Sequence, residues 1–145
     1  MLTKENQSGA LVSYQFGTSL SWNLTESSDG SLTASYGASS NSNISKNSQG
    51  IGIIEKDKDN SIQIVSRPVN GSQLKVEVFL NGIEVHTDTL IAKDRSYNRQ
   101  ALSNAHVTFG GQTHINEIAV FERVLNSDEI KSMREYFETK YKVKE

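Results

Sequence analysis

Hydrophobic and polar residues alternate with a period of two along much of this chain, as they do in half-buried β-strands. The alternation is cleanest where Leu74, Val76, Val78 and Leu80 take turns with Lys75, Glu77 and Phe79. Asn81-Gly82 interrupts it before residues 83–87 resume. Two alternating runs around Asn-Gly predict a tight hairpin, because both turn positions need positive φ. The same pattern predicts strands at 10–16 and 18–24, the second with Leu20, Trp22 and Leu24 on one face. An Asp29-Gly30 turn leads into a strand over 31–36. Further strands are predicted at 51–54, 61–67 and 105–109. Pro68, the only proline, marks the end of the 61–67 strand, since it cannot donate to a ladder.

Three stretches break the alternation. Ser and Asn fill eight of the twelve positions from 38 to 49, and these residues favour turns by bonding their own backbone. That stretch is expected to be a long exposed loop. Residues 92–104 form a second polar, loop-like run. Over 115–122 a strand would place Ile118 and Val120 on one face and Ala119 and Phe121 on the other. A strand apolar on both faces is expected to be covered on both sides.

The C-terminus changes period. Ile130, Met133, Phe137 and Tyr141 form one stripe at helical spacing, predicting a helix over about 127–141 that packs its stripe on the core. Asn126 is its N-cap, with Glu129 completing a capping box and Leu125 and Ile130 at hydrophobic-staple positions. Asp128 and Glu129 suit the positive end of the helix dipole, and Lys140 and Lys142 the negative end. Many short strands followed by one helix predict a single all-β domain over 1–145, an antiparallel β-sandwich with one C-terminal α-helix.

Composition narrows the partners. The 145 residues carry 15 basic and 17 acidic side chains, a formal charge of -2. No basic stripe suits nucleic acid, so no nucleic-acid partner is expected. Mean hydropathy is -0.50, and no apolar run approaches the ~20 residues of a membrane helix, so no membrane insertion is expected. The chain has no cysteine, which removes disulfides, thiolate nucleophiles and Cys-based zinc sites. The residues after Met1 are Leu2-Thr3-Lys4-Glu5-Asn6, without the apolar stretch of a signal peptide.

The run Ile115-Asn116-Glu117-Ile118-Ala119-Val120-Phe121, then Glu122-Arg123-Val124-Leu125-Asn126, resembles the closing segment of concanavalin A-like lectin/glucanase (laminin G-like) domains. Tyr136-Phe137-Glu138-Thr139-Lys140-Tyr141 matches the family's helix ending, and Val76-Glu77-Val78-Phe79-Leu80-Asn81-Gly82 its strand and turn. The resemblance covers about the last half of the chain and implies a concanavalin A-like jelly roll. The family spans lectins, glycosidases, adhesion modules and phage or bacterial surface proteins, so function has to be argued from the site. It also implies an upstream strand and long loop that this chain does not match, as expected of a trimmed chain, a minimal version of the fold or a domain completed by a partner.

Glucanases of the superfamily carry Glu-x-Asp-x-Glu on one strand, which sets the carboxylates on one face. Glu55-Lys56-Asp57-Lys58-Asp59 has that spacing, but lysines occupy the positions that should face the core. A charged, solvated turn is expected there, and no enzyme activity. Calcium occurs in lectins of the superfamily, and Asp57, Asp59 and Asn60 are the candidate Ca²⁺ ligands. Position six counted from Asp57 is Ile62, not the glycine of an EF-hand loop. His86, His106 and His114 share no metal-binding spacing and are expected at the surface or at strand edges. A sugar site needs an aromatic to stack on a pyranose and polar groups for hydroxyls. Asp94, Arg95, Tyr97, Asn98 and Arg99 offer that mixture in one loop, whereas Trp22 shares its face with Leu20 and Leu24 and is assigned to the core. The expected function is a non-catalytic recognition or attachment module for a glycan or surface protein. It belongs on a virion, tail fibre or cell surface, as a homo-oligomer or as part of a larger virion or surface assembly. A structural capsid or tail decoration subunit is the alternative, and a glycoside hydrolase using Glu55, Asp57 and Asp59 is the third.

Overall fold

The computed structural model describes residues 9–16, 20–38, 41–55, 58–70, 73–91, 106–110, 115–121 and 123–141. Its described elements are β1 (Gly9–Phe16), β2 (Leu20–Glu26), β3 (Ser31–Ala38), β4 (Asn41–Ile53), β5 (Ile62–Asn70), β6 (Gln73–Leu80), β7 (Ile83–Ile91), β8 (His106–Phe109) and α1 (Ser127–Tyr141). The strands form two antiparallel sheets, one ordered β4-β3-β2-β1-β8 and the other β5-β6-β7. The architecture is an all-β sandwich with one C-terminal helix.

The period-two pattern decides which side chains meet between the sheets. Trp22, Leu24, Leu32 and Ala34 point inward from the larger sheet, and Val76, Val78 and Leu80 from the smaller one. Trp22 pairs with Tyr36 and Leu24 with Ala34, so the inner face is continuous across β2 and β3. A bulge after Ala10 adds Leu11 to the inner face beside Val12. Where β4 crosses β7, a side chain at Gly52 would meet Leu80 at 3.1 Å and Val85 at 3.5 Å. A side chain there would push the end of Leu80 back by a few tenths of an ångström, so glycine suits this close approach of the sheets.

The predicted hairpins form. Asn81 (φ 50°) and Gly82 (φ 83°) supply the two positive φ angles of a type I′ turn between β6 and β7. Asp29 accepts the Ser31 N–H at 2.9 Å within the turn between β2 and β3.

Three expectations need correction. Residues 38–49 are not a loop, because β4 runs from Asn41 to Ile53 and pairs with β3 along most of its length. It is an edge strand, and its ladder uses backbone groups that Ser and Asn possess like any other residue. Pro68 does not end its strand: β5 continues to Asn70, with Pro68 opposite Leu74. As β5 is also an edge, the missing N–H costs no inter-strand bond on the free side. Residues 115–121 form no strand, although 118–121 lie exposed.

Asn60 accounts for the turn before β5. It is fully buried, accepting the Glu55 N–H at 3.2 Å and the Asn81 side-chain amide at 3.0 Å. Its own amide donates to the Glu55 and Lys58 carbonyls at 2.9 and 3.0 Å. The Asn81 side chain in turn accepts the Ser61 N–H at 2.8 Å, so one polar knot joins this turn to the β6–β7 hairpin. Asn60→Ala should therefore lower stability by about 1–3 kcal/mol, the cost of stranding buried polar groups. Urea unfolding followed by Trp22 fluorescence measures it, and an unchanged midpoint would refute the role.

Candidate functional site

Two places bring chemistry together. The first is inside the sandwich. The Trp22 indole N–H points at Asp88 Oδ2 at 3.4 Å, and His86 Nε2 lies 2.7 Å from the same oxygen. Trp22 belongs to β2 and the other two to β7, so the cluster spans both sheets. Asp88 is 1% exposed. His86 and Asp88 stand opposite Val78 and Val76, which places both on the inner face. His86 is therefore largely buried on the inner face and ion-paired when protonated; of the surface or strand-edge position expected for it, the described structure gives the edge, since β7 is the outer strand of its sheet. Trp22 is wholly buried, as its alternation predicted.

The second place is a groove along β5. A cavity of about 310 Å³ runs beside that strand. Ile62, Ile64, Leu11, Val12 and Val107 line it from the inter-sheet side. Val65, Met133 and Phe137 line it from the outer side, beneath α1. Residues 115 and 117–121 form its remaining wall, with Ile118, Val120 and Phe121 exposed by 44%, 63% and 47%. Among the described residues nothing pairs with the free side of β5.

Polar latches hold α1 and the wall in place. The predicted capping box is present: Asn126 Oδ1 accepts the Glu129 N–H at 3.0 Å, and Glu129 Oε2 accepts the Asn126 N–H at 2.9 Å. Arg123 grips the same carboxylate with two bonds at 2.7 and 2.8 Å. At the far end Glu117 accepts from Lys140 at 2.7 Å, Tyr141 at 2.6 Å and Tyr136 at 3.0 Å. These bonds, the Lys140 one foremost, hold the Glu117 carboxyl at about 2. The Arg123 bond does most to hold Glu129 at about 2 as well. Across the sheet's outer face, Gln63 donates to the Ile130 carbonyl at 3.3 Å and Arg134 stacks over the Phe79 ring at 5.0 Å. Beyond the helix, burial opposes ionisation of Glu77. Lys75 at 2.7 Å and Arg67 at 2.9 Å outweigh it and hold that carboxyl below its usual range.

The sequence-predicted sites fall differently. Asp94, Arg95, Tyr97, Asn98 and Arg99 lie outside the described residues, as does Asp57. Asn60 does not suit a cation, because both lone pairs of its side-chain oxygen are already used in the turn. Asp59 accepts from the Asn116 amide at 3.1 Å. Among the described residues no group of three His, Asp or Glu side chains is placed to hold a metal. Glu55 stands outside the strands and pairs with Lys58 at 2.6 Å. No helix among the described residues is long and apolar enough to cross a membrane.

The Glu117 latch and the Asp88 cluster were missed in the sequence. Glu117 meets partners 19, 23 and 24 residues away, a spacing with no local signature. The His86-x-Asp88 spacing was readable, since period two puts both on one face. No protein-family model and no curated protein matches the chain.

Two outcomes follow. Asp88→Ala removes the acceptor that Trp22 and His86 share and should cost about 1–3 kcal/mol by denaturant unfolding, the cost of stranding buried donors. A loss below 1 kcal/mol would refute its bridging role. The latches contribute fully above the unfolded carboxylate value of 4.5 and fade as pH falls towards about 2. Thermal unfolding of the parent chain should therefore weaken over that window. Glu117→Gln should weaken less there, and an identical acid profile would exclude the latch.

Proposed function

We propose that this chain is a non-catalytic recognition or attachment module of the concanavalin A-like jelly-roll kind, carried on a virion, a tail fibre or a cell surface. The observation that carries the reading is the placement of Glu55, outside the strands and ion-paired to Lys58. Retaining hydrolysis needs two carboxylates about 5–5.5 Å apart across a substrate, held on a rigid scaffold. The sandwich supplies such a scaffold, and Glu55, the first carboxylate of the stretch with glucanase-like spacing, stands outside its strands. The polar 94–99 loop is the proposed glycan contact, with Tyr97 stacking on a sugar face and Arg95 and Arg99 bonding hydroxyls. The proposed Ca²⁺ ligands are Asp57 and Asp59, without the Asn60 side chain.

A structural capsid or tail decoration subunit is the second reading. The free edge of β5 beside an apolar groove favours it, because an extended segment of a neighbouring chain can add there as a strand.

A glycan panel probed with labelled protein, in calcium and then in EDTA, tests the first reading. Specific binding that falls at least about tenfold on Tyr97→Ala is expected for a stacked sugar contact. A clean negative from folded protein would transfer the assignment to the structural subunit. Glycan cleavage that Glu55→Gln abolishes would overturn both.

A further inference from the structure

We propose that Asn81-Gly82 is a deamidation site guarded by the fold: it reacts only when the chain unfolds, and once it has reacted the chain no longer refolds. The inference is independent of any glycan or protein ligand.

Asn-Gly is the dipeptide in which this reaction meets least steric resistance, because glycine places no Cβ beside its own nitrogen. The sequence has two such steps, Asn70-Gly71 and Asn81-Gly82. In the reaction the Gly82 main-chain nitrogen loses its proton and bonds to Asn81 Cγ, and the side-chain amide leaves as ammonia. Water then opens the five-membered imide. Attack at one carbonyl leaves aspartate. Attack at the other leaves isoaspartate, with the main chain rerouted through Cβ and Cγ.

The folded turn opposes the first step in two ways. Ring closure needs Asn81 Cβ and the Gly82 nitrogen on the same side of the Cα–C bond. The first central residue of a type I′ turn has ψ of about +30°, which sets the two nearly opposite. Asn81, with φ 50°, occupies that position. Its side chain is also held at both ends. The oxygen accepts the Ser61 N–H at 2.8 Å, and the amide donates to Asn60 Oδ1 at 3.0 Å. Bringing Cγ to the Gly82 nitrogen therefore means losing the turn and both side-chain bonds together.

Neither product suits the site. Aspartate keeps the bond from Ser61 but turns a second acceptor towards the oxygen of Asn60, a fully buried residue that loses a donor. Isoaspartate adds a carbon to a two-residue turn whose length fixes the register of β6 and β7. The turn also packs against α1, where a Cβ at Gly82 would lie 2.6 Å from Glu138 Oε1. A bulkier main chain has to displace that side chain. The turn thus records unfolding, because a chain that has opened and reacted does not return.

Peptide mapping of aspartate and isoaspartate, after incubation in mildly alkaline buffer with and without urea, tests the guard. In urea both Asn-Gly steps should react at matching rates, which gives the intrinsic rate. In buffer Asn81 should react at least about 100-fold slower than in urea, since only the opened population reacts. Equal rates at Asn81 with and without urea would overturn the guard. The second arm uses Asn70→Gln, a change at an exposed position that leaves Asn81 as the one Asn-Gly step. That chain is aged in urea, diluted to refold and separated by size exclusion. Isoaspartate at 81 should be confined to the chains that elute unfolded. Its equal presence in the refolded chains would overturn the bar to refolding.

Discussion

Burying Trp22 creates a polar problem in the middle of an apolar core. The indole is the largest side chain sealed between the sheets, and covering its roughly 150–250 Å² contributes about 4–6 kcal/mol. Its N–H goes into the core with it and needs an acceptor there. Asp88 provides one from the opposite sheet. A carboxylate at 1% exposure is itself costly, and His86 stands two residues along the same strand to compensate it. One aromatic residue therefore determines two polar inward positions on β7. The sheets are joined by a directional contact as well as by non-directional apolar burial. A slip of β7 by one residue would turn both partners to the outside, so the cluster also specifies register.

The parts of the fold that could be read from sequence are those in which side chains themselves carry the signal. The Asn81-Gly82 turn needs positive φ, and the Leu74-to-Leu80 alternation needs one buried face, so both are written in residue type. The capping box at Asn126 and Glu129 was legible for the same reason. β4 was not, because an edge strand rich in Ser and Asn is held by its backbone and leaves no apolar pattern. Pro68 misled in a related way, being a strand breaker only where both sides of a strand are paired. Asn60 looked like a cation ligand by type, yet its role is set by Asn81, which lies 21 residues away. The proposed sugar-binding residues 94–99 were chosen for their chemistry alone, and nothing in the described geometry bears on them.

The helix shows how much polar fastening a lightly covered element needs. No residue of α1 is fully buried, so its apolar stripe contributes only partial burial. An isolated helix of 15 residues is marginal in water, which means tertiary contacts have to hold it. They do so at three points. Glu129 and Arg123 fasten its start, Gln63 and Arg134 its middle, and Glu117 its end. Exposed ion pairs of this kind are individually weak, and salt screens them. Their value lies in their positions, because Glu117 and Arg123 bracket the groove wall as well as the helix. Acid or salt that loosens one therefore loosens the other.

This coupling bears on how the molecule manages its edges. A sandwich with free strand edges invites pairing with other chains, and proteins blunt such edges with prolines, charges or covering segments. β4 is protected by its polar composition. β5 has Arg67 and Pro68 towards one end, but Ile62, Ile64 and Val65 leave the other end largely apolar. That unprotected half is the part facing residues 115–121 across the groove. Glu117 and Arg123 bracket that wall with polar bonds, so the apolar half of β5 is screened by contacts that acid and salt weaken before they reach the core.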